Sequence, residues 1–416
     1  MISCRTETAQ QKDLLFWCSN NKDEITLAGN ATQSWNTANT SMPVHMQPIP
    51  EGQSSEEVIL AAVVGKTTPD IYANMWQGSV EMYAHAKVLI ALDTLKGFTE
   101  FIKERCDTNV IKEITSSDGH IYQVPWKANP IMTIYNKTLF AENNLGNAPA
   151  TYGAYTQAAE HFKENSIKKG THDHFGYTEV KAIWYQRLFN FYPLYLAASN
   201  GAPLIKDNHA AFNNKYAVEV FAFLQNLYRK EYFSRESSGA SSDPFVAQSI
   251  ATKWTGPWEI PYLKRIPGRQ FEYDYAVPPV PDDHVGPVYT YGDPKNMVIF
   301  NTCREPQAAW EFIKTMISRE GDLQLLRISG QIPRRKDLVN DPFFATFFMA
   351  NPMLVPFAKQ IPYLKGIDNC EYIVEALDIL SQEYETCVVY GMKTPEKAVE
   401  DAARAVDVLL SAASDK

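Results

Sequence analysis

Over the first 76 residues, short apolar runs alternate with helical stretches, and this alternation constrains the fold more than any other feature of the chain. Leu14-Leu-Phe-Trp-Cys18 is continuously apolar and ends in Ser19-Asn20-Asn21, the pattern of a buried strand that empties into a polar loop. A helical stretch from Glu24 to Asn36 follows, then a short strand near Val44–Pro48. Ser54-Ser-Glu-Glu57 reads as a helix start leading into Val58–Val64 and closed by Gly65. Thr67–Ala73 reads as a turn and then a third strand, which empties into Asn74-Met75-Trp76. A βαβαβ order of this kind predicts a parallel sheet, and ligands bind open α/β sheets at the carboxyl ends of their strands.

The second constraint is the stretch His120–Phe140. It predicts a strand on Ile121 and Val124, a break at Pro125, a second strand at Ile131–Tyr135 and a helix from Asn136. Pro125 and Pro130 exclude helix between them and predict backbone donors and acceptors left out of any ladder. An aromatic, a cation and an amide (Trp126, Lys127 and Asn129) share this segment. A second crossing of the same character is Tyr289–Lys295, and a third candidate lies near Lys336–Pro342. Several crossings imply two lobes, each discontinuous in sequence: 13–127 with 292–337, and 128–291 with 338–416. Such lobes suit hinge closure around a ligand.

Between these landmarks the pattern is mostly helical. Ile183–Ser199 reads as one apolar helix kinked at Pro193, and Asn214–Tyr232 as an amphipathic helix. Ser237–Asp243 is a loop before a helix at Pro244–Thr252, and Trp254-Thr-Gly-Pro-Trp258 sets two tryptophans around a Gly-Pro break. Strands are expected at Tyr273–Pro281 and Asn296–Asn301, and closing helices at Glu371–Tyr390 and Pro395–Ala413.

Composition excludes several functions. With 48 acidic against 39 basic residues and a net charge of −9, the chain offers no basic face for nucleic acid. The six cysteines are scattered without a Cys-x-x-Cys pair, so no zinc site is expected, and His172-Asp-His174 sits among lysines as a solvated loop. Neither a cofactor nor a metal is implied. The motifs of nucleophilic, zinc-dependent and phosphate-binding enzymes are missing, so no catalytic residue is named. Carboxylate pairs such as Glu56-Glu57 and Asp282-Asp283 fall at helix starts or in loops, a poor basis for a glycosidase. No apolar run reaches the length of a membrane span. Met1-Ile-Ser-Cys4 fits the end of a bacterial lipoprotein signal, with Cys4 as the acylated residue and 1–12 as an N-terminal tether. The 22 tyrosines and 8 tryptophans supply stacking surface for sugar rings or choline-like cations.

A set of segments in a fixed order carries a family resemblance. These are Thr68-Pro-Asp-Ile71, Val124-Pro125 with Ile134-Tyr-Asn-Lys-Thr-Leu-Phe140, Ala148-Pro-Ala-Thr151, Gly256-Pro-Trp-Glu259, Arg304–Phe312, Gly330-Gln-Ile-Pro333 and Lys393–Ala398. From about Asp13 onward the chain resembles the extracellular solute-binding proteins of ABC importers, in the branch that binds maltose, maltodextrins and glycerol-3-phosphate. The resemblance implies the two-lobed α/β fold of periplasmic binding proteins (type II), no catalysis, a monomer in the periplasm or cell envelope, and a permease as partner. It implies ligand contacts at Ser19, Asn20, Asn74 and Trp76 in the first lobe, and at Trp126, Lys127 and Asn129 on the first crossing. Trp184, Trp254, Trp258, Tyr291 and Gly292 complete the set. Asn74 stands where the maltodextrin binders carry Trp. A mono- or short oligosaccharide is the expected ligand. Glycerol-3-phosphate or a glycerophosphodiester is the alternative, and a carbohydrate-active enzyme a third reading.

Overall fold

The computed structural model describes residues 13–50, 54–180, 183–235 and 243–414. Cys4, the 1–12 tether and 237–242 of the expected loop lie outside the described residues. Nine strands form two principal sheets: Leu14–Cys18 (β1), Val44–Pro48 (β2), Ile71–Trp76 (β3), Val124–Lys127 (β4), Met132–Asn136 (β5), His174–Gly176 (β6), Ile250–Thr255 (β7), Tyr273–Ala276 (β8) and Lys295–Ile299 (β9). The chain divides into two compact units. One holds the described residues up to Lys127 together with Pro294–Arg335; the other holds Ala128–Asp293 and Lys336 onward.

The sheet of the first unit runs β2-β1-β3-β9-β4. β1 pairs in parallel with both β2 and β3, while β9 runs antiparallel to β3 and β4. Parallel neighbours need helical crossovers, and Lys22–Ala38 (α1) and Ser55–Gly65 (α2) supply them. Both helices start on a side chain that satisfies free backbone amides: Asn21 accepts from Asp23 and Glu24, and Ser54 accepts from Glu57. The continuous apolar run of β1 is explained by burial on both faces. Leu14, Phe16 and Cys18 join one core with Val124, Trp310 and Phe312, and Trp17 joins another with Tyr72, Ile59 and Val298.

Pro125 does not break the chain out of the sheet as expected from sequence. It lies inside β4, an edge strand, where a missing N–H is tolerated. The backbone around it is fully engaged. Arg105, 1% exposed, donates to the Pro125 and Trp126 carbonyls and forms a two-pronged ion pair with Asp322 at 2.6 and 2.9 Å. Arg334 N–H also donates to the Trp126 carbonyl at 2.9 Å.

The sheet of the second unit runs β8-β5-β7-β6, with β5 antiparallel to both β7 and β8. Its central strand β7 occupies part of the stretch that the sequence suggested as helix. Pro244–Gln248 is a turn, and Ile250-Ala-Thr-Lys-Trp-Thr255 then pairs with β5 on one side and β6 on the other. Strand partners distant in sequence override the local helical pattern here. The long helix expected over Ile183–Ser199 is also divided. A 3₁₀ turn at Trp184–Leu188 precedes the helix Phe191–Ala198, which restarts on Asn190 and carries Pro193 in its first turn, where a missing amide is harmless. Beyond Ala128 the first crossing is hydrogen bonded within this unit, contrary to the sequence-based expectation. Asn129 N–H donates to the Gly292 carbonyl, and Ile131 N–H to the Tyr291 carbonyl at 2.9 Å. Thr290–Tyr291 in turn pairs in parallel with Leu364–Lys365.

Candidate functional site

In the first unit, three expected ligand residues meet at one cavity. Ser19 and Asn20 follow β1, Asn74 belongs to β3, and with Ile49, Pro50, Ser54 and Ser55 they line a space of about 230 Å³. This is the carboxyl edge of the parallel strands, as the βαβαβ pattern predicts. Ser19 Oγ accepts from the Asn21 amide at 3.0 Å, which fixes the loop that leads into α1.

Asn74 reaches the cavity through a backbone irregularity. Across β3 and β9, Ala73 faces Met297 and Met75 faces Asn296, so Asn74 is an extra residue with no partner opposite. Its φ is 102°, a region that side-chain-bearing residues rarely occupy. A bulge of this kind redirects a side chain at a cost of about 1–3 kcal/mol, and such strain concentrates at functional positions. Trp76 does not line the cavity. Its ring lies on Gly78, where an added Cβ would come within 2.2 Å of ring carbon Cη2.

Lys127 is placed differently from the exposed cation that its position between two prolines suggested. It is 1% exposed, and its Nζ donates to Glu24 Oε1 at 2.5 Å. Gln331 Nε2 donates to the same oxygen at 2.7 Å. The lysine charge is therefore matched inside the unit by a carboxylate from the first turn of α1. Glu24 escaped the sequence reading because an acid at that position is the ordinary preference of a helix start. Beside them, burial and the Glu24 charge push the Cys18 thiol up to about 12, while Lys127 pulls it partly back. Cys18 is thus an inert thiol. Trp126, expected as a stacking platform, packs instead into the core that contains Leu14, Phe16 and Val124.

The second unit assembles an aromatic group. Trp258 is half-buried and meets Phe189 edge-on at 6.1 Å; Phe189 meets Tyr291 at 6.3 Å, and Tyr291 meets Tyr192 at 5.5 Å. The Trp258 ring lies on Gly256, where a Cβ would come within 2.2 Å of ring carbon Cζ3. Tyr291 donates to Asp293 Oδ1 at 3.3 Å. Asn129 and Gly292 are tied to each other through the backbone rather than presented as free groups. Trp184 is half-buried and stands edge-on to Tyr185 at 5.6 Å. Trp254 is the correction on this side. It packs against Tyr155 and Phe233 at 6.3 and 5.7 Å and belongs to the core. The sequence did not single out Phe189, whose role depends on the break after the 3₁₀ turn.

With two such units in a discontinuous chain, and a polar sheet edge and an aromatic group in place, the molecule is a binding protein of the two-lobed α/β type. The chain belongs to the bacterial extracellular solute-binding protein family, whose model matches residues 31–352. A binding protein from Brucella abortus is 22% identical over 317 residues, covering 70% of this chain and 69% of its own. Among solved structures, the uncharacterised protein lmo0859 from Listeria monocytogenes has a TM-score of 0.83 at 25% identity, covering 96% of this chain and 100% of its own. The cyclic alpha-maltosyl-1,6-maltose binding protein from Arthrobacter globiformis has a TM-score of 0.82 at 19% identity, covering 96% and 99%. No helix among the described residues is long and apolar enough to cross a membrane.

Proposed function

We propose that this protein is the substrate-binding component of an ABC importer and captures a small neutral carbohydrate, a mono- or short oligosaccharide, by hinge closure of its two units. The observation that carries the neutral reading is the Lys127–Glu24–Gln331 cluster. A phosphate would need a cation free to pair with it, and Lys127, the cation of the first crossing, is already matched by a buried carboxylate. Ser19, Asn20 and Asn74 offer hydroxyl and amide groups suited to sugar hydroxyls. Trp258 and its aromatic neighbours offer a surface for an apolar sugar face. The Arthrobacter neighbour, whose name states a maltosyl-maltose ligand, adds support through its fold.

The chain would act outside the cytoplasmic membrane, held there through Cys4, and deliver its solute to a membrane permease. It would perform no catalysis. A thermal-shift and calorimetric screen of neutral mono- and disaccharides against glycerol-3-phosphate and glycerophosphocholine tests this reading. A bound saccharide raises the melting temperature by mass action. Stabilisation by the phosphate esters with no response to any saccharide would overturn it. Turnover of a glycoside would overturn the non-catalytic part.

A further inference from the structure

All three crossings leave the first unit at one place. The unit ends at Lys127, resumes at Pro294 and ends again at Arg335. Between β4 and β9, Lys127 stands opposite Lys295, and Lys127 also forms an antiparallel bridge with Pro333. Arg334 N–H donates to the neighbouring Trp126 carbonyl at 2.9 Å. The ends of the three crossings in this unit thus lie side by side.

Glu24 reaches this junction from the first turn of α1. Its Oε1 accepts from Lys127 Nζ at 2.5 Å and from Gln331 Nε2 at 2.7 Å, so one carboxylate oxygen holds two of the three crossings. Both members of the ion pair are buried, and away from water such an attraction is strong and its geometry stiff. The same turn of α1 is fixed to the loop that lines the cavity. Asn21 Oδ1 accepts from the Asp23 and Glu24 amides at 2.9 and 3.3 Å, and the Asn21 amide donates to Ser19 Oγ at 3.0 Å. A short series of contacts, all within one unit, therefore joins the cavity wall to the crossings. Stability alone does not account for the cluster, because apolar side chains of like size often replace a buried ion pair without loss.

We propose that Glu24 is a positioning residue that couples the Ser19–Asn20 loop to the crossings. A ligand on that loop fixes the first turn of α1, and the Glu24 carboxylate carries the adjustment to Lys127 and Gln331, where the chain leaves the unit. Coupling of this kind is reciprocal, so the crossings also set the loop and with it the affinity. Glu24 touches no ligand itself. The inference rests on hinge closure in the function proposed above and adds the residue that links closure to the cavity; it does not require the ligand to be a sugar.

Two variants of the full chain test it. Gln331→Met removes one donor and leaves the Lys127–Glu24 pair in place; Glu24→Met/Lys127→Met/Gln331→Met replaces the whole cluster with apolar chains of similar length. Maltose is the probe, and glycerol-3-phosphate takes its place if maltose does not bind wild type. Calorimetry gives affinity, small-angle X-ray scattering gives the radius of gyration with and without saturating probe, and melting is followed without probe. Both variants should melt within about 5 °C of wild type and bind the probe about 3- to 10-fold more weakly. At saturation they should show less of the compaction that the probe produces in wild type, a readout that loss of stability alone does not move. Should the triple variant fail to fold, Gln331→Met decides. Wild-type affinity and compaction in a folded variant overturn the coupling alone. So does a lowered melting temperature with full compaction, since that makes the cluster purely structural. If wild type binds neither probe, or binds without compacting, the capture-by-closure reading fails and this proposal falls with it.

Discussion

The two units offer unlike chemistry from similar scaffolding. The first presents hydroxyls and amides at the carboxyl edge of a parallel sheet, with its cation and carboxylate turned inward. The second presents rings: Trp258, Phe189 and Tyr291 in edge-on contact, with no salt bridge among them. Each unit also lays a tryptophan on a glycine, Trp76 on Gly78 and Trp258 on Gly256, but the first is buried and the second half-exposed. On the carbohydrate reading proposed above, the contrast is a division of labour, since a sugar carries polar hydroxyls on its rim and apolar C–H groups on its faces. Hydrogen bonds give such a site its selectivity, and stacking gives it affinity.

The contrast breaks first where the polar half is framed. Arg105 and Asp322 are 1% and 0% exposed, and Asp322 also takes the Arg335 guanidinium at 2.6 Å. Asp322→Ala leaves buried guanidinium without its counter-ion and frees the Pro125 and Trp126 carbonyls from a rigid donor. Urea unfolding should show a loss of about 3–5 kcal/mol, the range for breaking a buried pair from one side. A change under about 1 kcal/mol would mean that the carbonyl contacts alone hold Arg105.

Charge is the next point of attack. Glu24→Gln keeps the shape of the side chain but removes the carboxylate charge that matches Lys127. Saccharide binding should weaken, and glycerol-3-phosphate should bind the variant at least about tenfold more tightly than it binds wild type. Titration calorimetry of both ligands on both proteins reads this directly. Should the phosphate ester remain without effect, Lys127 is inaccessible to ligand whatever its charge state.

The aromatic half is tested through its glycine. Gly256 has no left-handed backbone requirement, so alanine there conflicts only with the Trp258 ring, which must swing aside. Gly256→Ala should therefore cost little stability yet weaken saccharide binding about three- to tenfold, approaching Trp258→Ala, consistent with the ~0.5–1.5 kcal/mol of an aromatic contact. Tryptophan fluorescence on ligand addition should diminish in both variants. Equal binding in all three proteins would remove Trp258 from the site.

Much of this architecture was legible in the sequence, and the failures follow a rule. The βαβαβ start, the carboxyl-edge loops and the crossings are local patterns, and they led to Ser19, Asn20 and Asn74 on one cavity. What the sequence hid was set by partners far along the chain. Lys127 reads as a free cation until Glu24 and Gln331, 103 and 204 positions away, are brought to it. Trp126 and Trp254 read as platforms because aromatic residues beside Pro and Gly look exposed, yet each completes a core. The first half of β7, Ile250–Thr252, read as helix because its neighbours β5 and β6 lie more than 70 residues upstream.

The smallest expected effect is the most discriminating for the polar half. Asn74 holds φ at 102° on a bulge that no cross-strand pairing requires. Glycine accepts that backbone freely, and the strain it removes offsets the greater chain entropy it brings to the unfolded state, each being of order 1 kcal/mol. Asn74→Gly should therefore fold with stability within about 1 kcal/mol of wild type while losing the amide that lines the cavity. Affinity for the bound saccharide should drop about fivefold in titration calorimetry. Unchanged affinity in a stable Asn74→Gly variant would remove the Asn74 amide from the ligand wall and leave the bulge as a purely structural feature of β3.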